Sequence, residues 1–373
     1  MAVTTQHRIR RILLPIVGAL SVAALVACSA GQGGAEVPPP EPGEALVIDG
    51  VEIADADLWA AAKAEGSMTL YSAQPEATVT PIVEAFMDAT GINVDVVRLS
   101  GGPLAERVMS EIAGGQLGAD VLQASDLDFA AELKSVDALS EYEVPWIEDM
   151  REDLRDPDGM YTPWSTSVMT LAYNTAVVAP EDVPQSWAEL LEPEWKGKIG
   201  IFDIGTGGSA WAVALFQRLE VDDDYWADLT AQEPLVYAGN APLSESLQRG
   251  EISVGTGSPS VILRAREDGA PVDVLFPEEG FPAFVSFLAI PTTASSPNAA
   301  KVYVNWATST PGSTKVSTIS GDYQANTTVP TPTLYGTKLP ESGPWIASTD
   351  DWLSLREGWS REYRELFGAA VGN

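Results

Sequence analysis

Residues 68–136 alternate, three times over, a short strand-like run with an amphipathic helical pattern, and that alternation leaves few folds open. MTLYS (68–72) reads as a strand. Val79, Ile82, Val83, Phe86 and Met87 then share one helical face, which Gly91 closes. INVDVVRL (92–99) is the next strand, and Pro103 suits the first turn of a helix through Ile112. Residues 119–123 form a third strand, and Asp126 stands where it caps a helix carrying Phe129, Leu133 and Val136. This order predicts an α/β fold with mainly parallel sheets and helices on both faces.

A second alternation begins at residue 198. Strands are expected over 198–204, 235–237, 252–255 and 272–276, with helices opening at Gly205-Thr206-Gly207-Gly208-Ser209, Asn240-Ala241-Pro242 and Ser258-Pro259-Ser260. Residues 140–165 are loop-like, and SVMTLAYN (167–174) and FVSFLAI (284–290) return to strand character. Two α/β units joined by strands near 162–174 and 281–290 fit a body of two lobes around a cleft.

Small polar residues sit where several strands end and a helix starts: Ser72, Ser100-Gly101-Gly102, Ser125-Asp126, Thr206-Gly207-Gly208-Ser209, Asn240 and Ser258. Helix capping accounts for each one singly. Jointly they favour a site for a small anion or polar molecule, because ligands of open α/β sheets sit beyond the carboxyl ends of the strands, where helix starts offer free amides. Gln74 follows the first of these ends. Trp164 and Tyr173 flank the first crossing, either as a stacking surface for ligand or as packed aromatics. Asp126 either caps its helix or meets a ligand amine. None of these stretches is a nucleotide-binding fingerprint or a serine-hydrolase elbow.

The N-terminus carries Arg8, Arg10 and Arg11, an apolar run, and then Leu25-Val26-Ala27-Cys28. A basic start, a short apolar stretch and small residues describe a secretory leader over 1–27. The apolar run is short for a membrane span, and Arg10-Arg11 leaves twin-arginine export open. Ser29 to Ala45 is Gly, Pro, Glu and Ala, a composition that buries no core and predicts a flexible tether over 28–50. Cys28 is the only cysteine and His7 the only histidine. Cleavage at Cys28 would leave no imidazole, which excludes histidine-dependent nucleophilic catalysis and the usual zinc sites, while carboxylate or tyrosine sites stay open. The 53 acidic residues against 21 basic ones, a net charge of −32, speak against nucleic acid as a partner.

Leu-Val-Ala-Cys resembles a bacterial lipobox. The blocks EGSMTLYSAQPE, GINVDVVRLSGGPLAERV, GADVLQASD, LAYNTAVVAPEDVPQSWAELLEPEWKGKIGIFD and GEISVGTGSPSVILRAREDGAPVDVLFPEEGFP follow in order. Together they resemble the extracellular solute-binding proteins of ABC importers, in the ferric-iron-binding-like branch that also serves phosphonates, sugar phosphates, thiamine and polyamines. The resemblance implies a type II periplasmic-binding fold, lipidation of Cys28, closure on a solute, and delivery to a permease and its ATPase. Where ferric binders carry histidine, glutamate and a tyrosine pair, this chain has Pro75, Ser125, and Pro259 with Ser260. Iron wants anionic oxygen or nitrogen ligands, so these positions turn the expectation toward a phosphonate or phosphate ester.

The expectation is a monomeric transport lipoprotein, not an enzyme. It uses no cofactor, has no metal site and is exported and held at the membrane by lipid on Cys28. Ligand contacts are expected from Ser72, Gln74, Ser100, Gly101, Gly102, Ser125, Asp126, Trp164, Thr206, Gly207, Gly208, Ser209, Asn240 and Ser258. Residues 51–165 and 282–345 would build one lobe, 166–281 the other, and 346–373 a docking helix. A ferric, polyamine or thiamine binder of the same fold, and a secreted carboxylate-dependent hydrolase, stand as alternatives.

Overall fold

A tight hairpin opens the described chain. Leu46–Ile48 (β1) pairs antiparallel with Val51–Ala54 (β2) across Asp49 and Gly50, whose φ angles are +49° and +83°. Asp-Gly is a favoured pair for such a turn. Residues 46–50, placed in the expected tether, belong to this hairpin, with Leu46 buried. The computed structural model describes residues 43–368, so the leader at 1–27 and Cys28 lie outside the described residues.

The first alternation is built largely as its pattern predicts. Ala56–Glu65 (α1) leads into Ser67–Ser72 (β3), Glu76–Thr90 (α2), Asn93–Arg98 (β4), Gly101–Ala113 (α3), Val121–Ala124 (β5) and Leu127–Ser135 (α4). The buried face of α2 is Val79, Ile82, Val83 and Phe86, and Gly91 ends it at φ +73° with its N–H on the Met87 carbonyl. A loop leads to Thr162–Val168 (β6) and Thr170–Asn174 (β7). The second alternation is Ile199–Phe202 (β8), Gly208–Phe216 (α5), Tyr225–Thr230 (α6), Leu235–Tyr237 (β9), Asn240–Gln248 (α7), Val254–Gly257 (β10), Pro259–Glu267 (α8) and Val272–Leu275 (β11). Pro282–Ala289 (β12), Pro297–Thr308 (α9) and Thr310–Ser320 (α10) come next. The chain then makes the short strands Tyr323–Gln324 (β13), Thr333–Leu334 (β14), Thr337–Lys338 (β15) and Trp345–Ile346 (β16), and ends in Thr349–Ser354 (α11) and Arg356–Phe367 (α12).

Two main sheets result. A seven-stranded sheet runs β13-β6-β12-β5-β3-β4 with β16 beside β12, and a five-stranded sheet runs β11-β7-β10-β8-β9. The helix-linked strands β4, β3 and β5 are parallel, as are β9, β8 and β10. The strands that carry the chain between sheets enter antiparallel: β6 and β12 in one sheet, β7 in the other. Each sheet with its helices forms a lobe.

The change of sheet is abrupt. β6 pairs with β12 through Val168, opposite Ala283, and β7 begins at Thr170. Residues 166–168 therefore belong to the first lobe, three residues beyond the expected boundary, because they extend a pairing that starts at Thr162. Met169 is the crossing residue, and its N–H donates to the Pro282 carbonyl at 2.8 Å. The other crossing, at 276–281, is pinned to the second lobe: the Trp187 indole N–H donates to Gly280 O at 3.0 Å.

The C-terminal segment is structural. Trp352 and Tyr363 are buried in the second lobe's core with Trp211 and Trp226. The Tyr363 hydroxyl donates to Phe202 O at 3.0 Å, and the Trp211 indole N–H donates to Trp352 O at 3.1 Å. Arg218 lies between the rings of Trp226 and Trp359, 4.9 and 4.4 Å from their centroids, with Asp223 and Glu362 on its nitrogens. The expected docking helix is two helices.

Candidate functional site

A cavity of about 130 Å³ opens at the carboxyl ends of β3 and β5, lined by residues 73–75 and 123–125 with Ser167, Phe284 and Ser286. Parallel strands end here, so backbone and short side chains, rather than a helix face, form the wall. The Ser72 hydroxyl, opposite Gln123 in the ladder, donates to Gln123 Oε1 at 2.8 Å. That bond fixes the amide with its nitrogen unspent: Gln123 is 1% exposed, and its Nε2 has no hydrogen-bond partner among the described residues. A buried donor left unmade costs about 1–3 kcal/mol, so an acceptor that reached this nitrogen would be stabilised. Gln74 Nε2 donates to Ser286 Oγ at 3.4 Å, folding Gln74 over the cavity.

No titratable side chain lines this cavity. Behind the lining residue Ser167 stands Asp322, whose carboxyl burial pushes up to about 7 while the hydroxyls of Ser167 and Ser320 pull it down.

Ser100, Gly101 and Gly102 start α3 beside the cavity. Ser100 makes no side-chain cap bond, and a β-carbon built on either glycine would meet nothing within 4 Å. All three are exposed, so the first amides of a 13-residue helix are open to an approaching group. Deeper along α3, Arg107 pairs with Glu111 at 2.7 Å and lies 5.0 Å from the Tyr71 ring centroid, which fixes the helix to β3.

Of the residues expected to touch ligand, Gln74 and Ser125 line the cavity and Ser72 positions its floor. Trp164 does not reach it. β6 shifts register opposite Ser286 and Phe287, and the Trp164 side chain is buried in the first lobe with its indole N–H on Ala307 O at 3.1 Å. An indole enclosed on all sides offers no stacking face, which corrects that expectation. Asp126 is also engaged within the chain. Its carboxylate accepts from Asp128 N at 3.1 Å, capping α4, and lies 3.8 Å from Arg356. Arg356, 5.2 Å from the Trp211 ring centroid, reaches Asp128 at 3.7 Å as well. Burial and then repulsion from Asp126 raise the Asp128 carboxyl to about 6, against the pull of Arg356. The expectation that Asp126 meets a ligand amine is replaced by this pairing.

The second lobe supplies none of the cavity's lining. The Thr206 hydroxyl donates to Asp203 O at 2.7 Å, and Gly207 holds φ +121° at the start of α5, where Gly208 and Ser209 follow. Asn240 and Ser258 are brought together: Asn240 Oδ1 accepts from Ser258 N at 3.1 Å, tying the starts of α7 and α8. That bond makes Asn240 a brace between two helix starts.

Residues not singled out from sequence complete the site. Gln123 and Ser286 are isolated polar residues inside apolar strands, which is the available signal, whereas Ser167 lies in the polar run Ser165-Thr166-Ser167 and carries none. Arg98 ends β4 opposite Ser72, and its Nε donates to Gln74 O at 3.0 Å.

The comparisons agree with this architecture. A family model described as bacterial extracellular solute-binding protein matches residues 81–341. A protein of Sinorhizobium fredii named as an ABC-transporter periplasmic-binding protein is 26% identical over 249 residues, covering 64% of this chain and 69% of that one. Iron-bound HitA of Pseudomonas aeruginosa superposes with a TM-score of 0.65 at 22% identity, over 80% of this chain and 99% of the other. The periplasmic binding protein AfuA of Actinobacillus pleuropneumoniae, with fructose 6-phosphate bound, gives 0.66 at 20% identity, over 82% and 99%.

Proposed function

The chain belongs to the bacterial extracellular solute-binding proteins, and from that premise we propose that it captures a small phosphorus oxyanion, a phosphate ester or phosphonate, for an ABC importer. The observation that carries this reading is the buried Gln123 amide nitrogen, without a partner among the described residues, on a residue that lines a cavity walled by serine and glutamine. Such a wall gives hydrogen bonds to acceptor oxygens and adds no negative charge to repel them. The open start of α3 supplies positive potential beside it. Phosphate-ester binding by AfuA and the ABC-transporter name of the Sinorhizobium protein support the same direction.

The ferric alternative asks for hard anionic ligands, and the lining contributes amides and hydroxyls. The hydrolase alternative asks for a carboxylate pair near the reacting bond, and the lining has none.

Capture proceeds by closure about Met169 and the 276–281 crossing. The second lobe then brings the starts of α5, α7 and α8 over a head group held by the first lobe, and ligand favours the closed form because only that form contacts it from both sides. Export as a monomer with lipid on Cys28 keeps the protein beside its permease.

A thermal-shift titration of the purified full-length chain tests the ligand class, with ferric citrate, 2-aminoethylphosphonate, fructose 6-phosphate, phosphate, thiamine and spermidine as probes. A ligand at 100 times its Kd stabilises by about 2.7 kcal/mol, a readily measured shift. Shifts confined to phosphorus oxyanions support the proposal. A shift with ferric citrate or spermidine alone overturns it. Release of a Cys28→Ala variant from cells that retain the wild type tests the anchor.

A further inference from the structure

Arg98 has no ion pair among the described residues of this acidic chain. It ends β4 at the rim of the cavity, one strand from Ser72. Its only hydrogen bond among the described residues runs from Nε to Gln74 O, and no described carboxylate lies within 4 Å of it. Arg107, further along the same segment, has found Glu111 at 2.7 Å, so the arrangement is not a general lack of acids. Gln74, which holds Arg98, also lines the cavity and bonds Ser286. The guanidinium is thus tethered by one nitrogen with its terminal N–H groups left for another acceptor. The open start of α3 lies two residues along the chain.

We propose that Arg98 is the specificity-determining residue that reads the second negative charge of a dianionic phosphate or phosphonate group. This rests on the phosphorus-oxyanion reading of the cavity. The division of labour follows from the donors. Gln123 and the serines satisfy oxygen lone pairs whatever the ion's charge, whereas a guanidinium pairs bidentately with a dianion and gains from each added charge. The ligand's own second protonation then controls the pairing. The groups facing it carry no ionisable side chain: Ser72 ends β3 and is followed by Ala73 and Gln74, and Ser100 is the N-cap of α3, which begins with Gly101 and Gly102. The neighbouring acids along its own and the adjoining element, Asp95 and Glu76, both lie beyond 4 Å.

The test is titration calorimetry on the full-length chain and its Arg98→Gln and Arg98→Lys variants. The probes are fructose 6-phosphate at pH 7.5 and 5.0, and 2-aminoethylphosphonate against its monoanionic sulfonate counterpart at pH 7.5. A phosphate ester's second proton has a pKa of about 6, so roughly a tenth remains dianionic at pH 5. The wild type should lose about tenfold in fructose 6-phosphate affinity between the two pH values and prefer phosphonate to sulfonate by tenfold or more. Arg98→Gln should lose tenfold or more for the phosphorus ligands, keep sulfonate affinity within twofold, and flatten the pH profile. Arg98→Lys should recover part of the preference. Equal losses for phosphonate and sulfonate, or no loss for either, overturn the proposal while leaving the cavity's assignment standing. A wild type that binds no phosphorus oxyanion at all overturns both.

Discussion

Gly208, the first residue of α5, lies so close to Ser125, which follows β5, that a β-carbon built on it would stand 3.2 Å from the Ser125 carbonyl oxygen. The Trp352 ring waits at 3.5 Å on another side. One lobe thus rests against the other through backbone, at the residue that also walls the cavity. Gly208→Ala should cost about 1–3 kcal/mol by overpacking and enlarge the unliganded radius of gyration in X-ray scattering. Gly207→Ala should cost a similar amount for a different reason, since φ +121° suits glycine while the space around it is empty, and the scattering curve should hold. Unchanged stability and scattering for Gly208→Ala would show that the contact gives freely.

If the proposed site holds, Gln123 sets the sign of what the cavity accepts. Gln123→Glu keeps the shape and replaces the unpartnered donor with an acceptor and a negative charge. Affinity for any phosphorus oxyanion that binds should fall by a hundredfold or more in calorimetry. Gln123→Leu, which also leaves the Ser72 hydroxyl without its acceptor, should fall less, because repulsion is missing.

Trp352 tests whether the C-terminal helices are part of the second lobe or an attachment to it. Buried beside Trp211, at a ring centroid distance of 6.5 Å, it should cost about 3–5 kcal/mol as Trp352→Ala in a urea titration. A loss under 1 kcal/mol would mark the segment as dispensable. Tyr363→Phe, which removes only the bond to Phe202 O, should cost about 1 kcal/mol.

Asp322 makes stability depend on pH with a definite sign. Its carboxyl is raised from 3.8 to about 7, so between these values the folded chain holds the proton more tightly than the unfolded chain. Its contribution therefore worsens as pH rises from about 4 to about 7. Asp322→Asn should melt above the wild type at pH 8, and the gap should narrow as pH falls toward 4. A constant gap across that range would mean that Asp322 does not titrate there.

The alternation at 68–136 made the first lobe legible, because each helix has a single apolar face and each strand a turn signal at its end. The place of the site followed from the same rule, since parallel strands end together. Its membership was harder to read. Trp164 looked like a ligand surface because sequence shows that it lies near a crossing but not which way a register shift turns it. Asp126 found its cation 230 residues away in Arg356, a pairing no local pattern announces. Gln123 was visible as a strand end, yet its value lies in the unspent half of an amide whose other half is taken by Ser72, and only the ladder between β3 and β5 reveals that. The hairpin at Leu46–Ala54 carried an Asp-Gly turn that the surrounding proline and glycine masked.

The closing helices carry a consequence for how the molecule is made. The chain builds most of its second lobe by residue 275, goes back to finish the first, and only then delivers Trp352, Trp359 and Tyr363 to the unfinished face. Trp211 and Trp226 therefore lack these neighbours in any chain that has not yet placed residues 349–367. The core of the second lobe is completed by a stretch that follows the whole of the first lobe in sequence, so the closing of one half waits on the other.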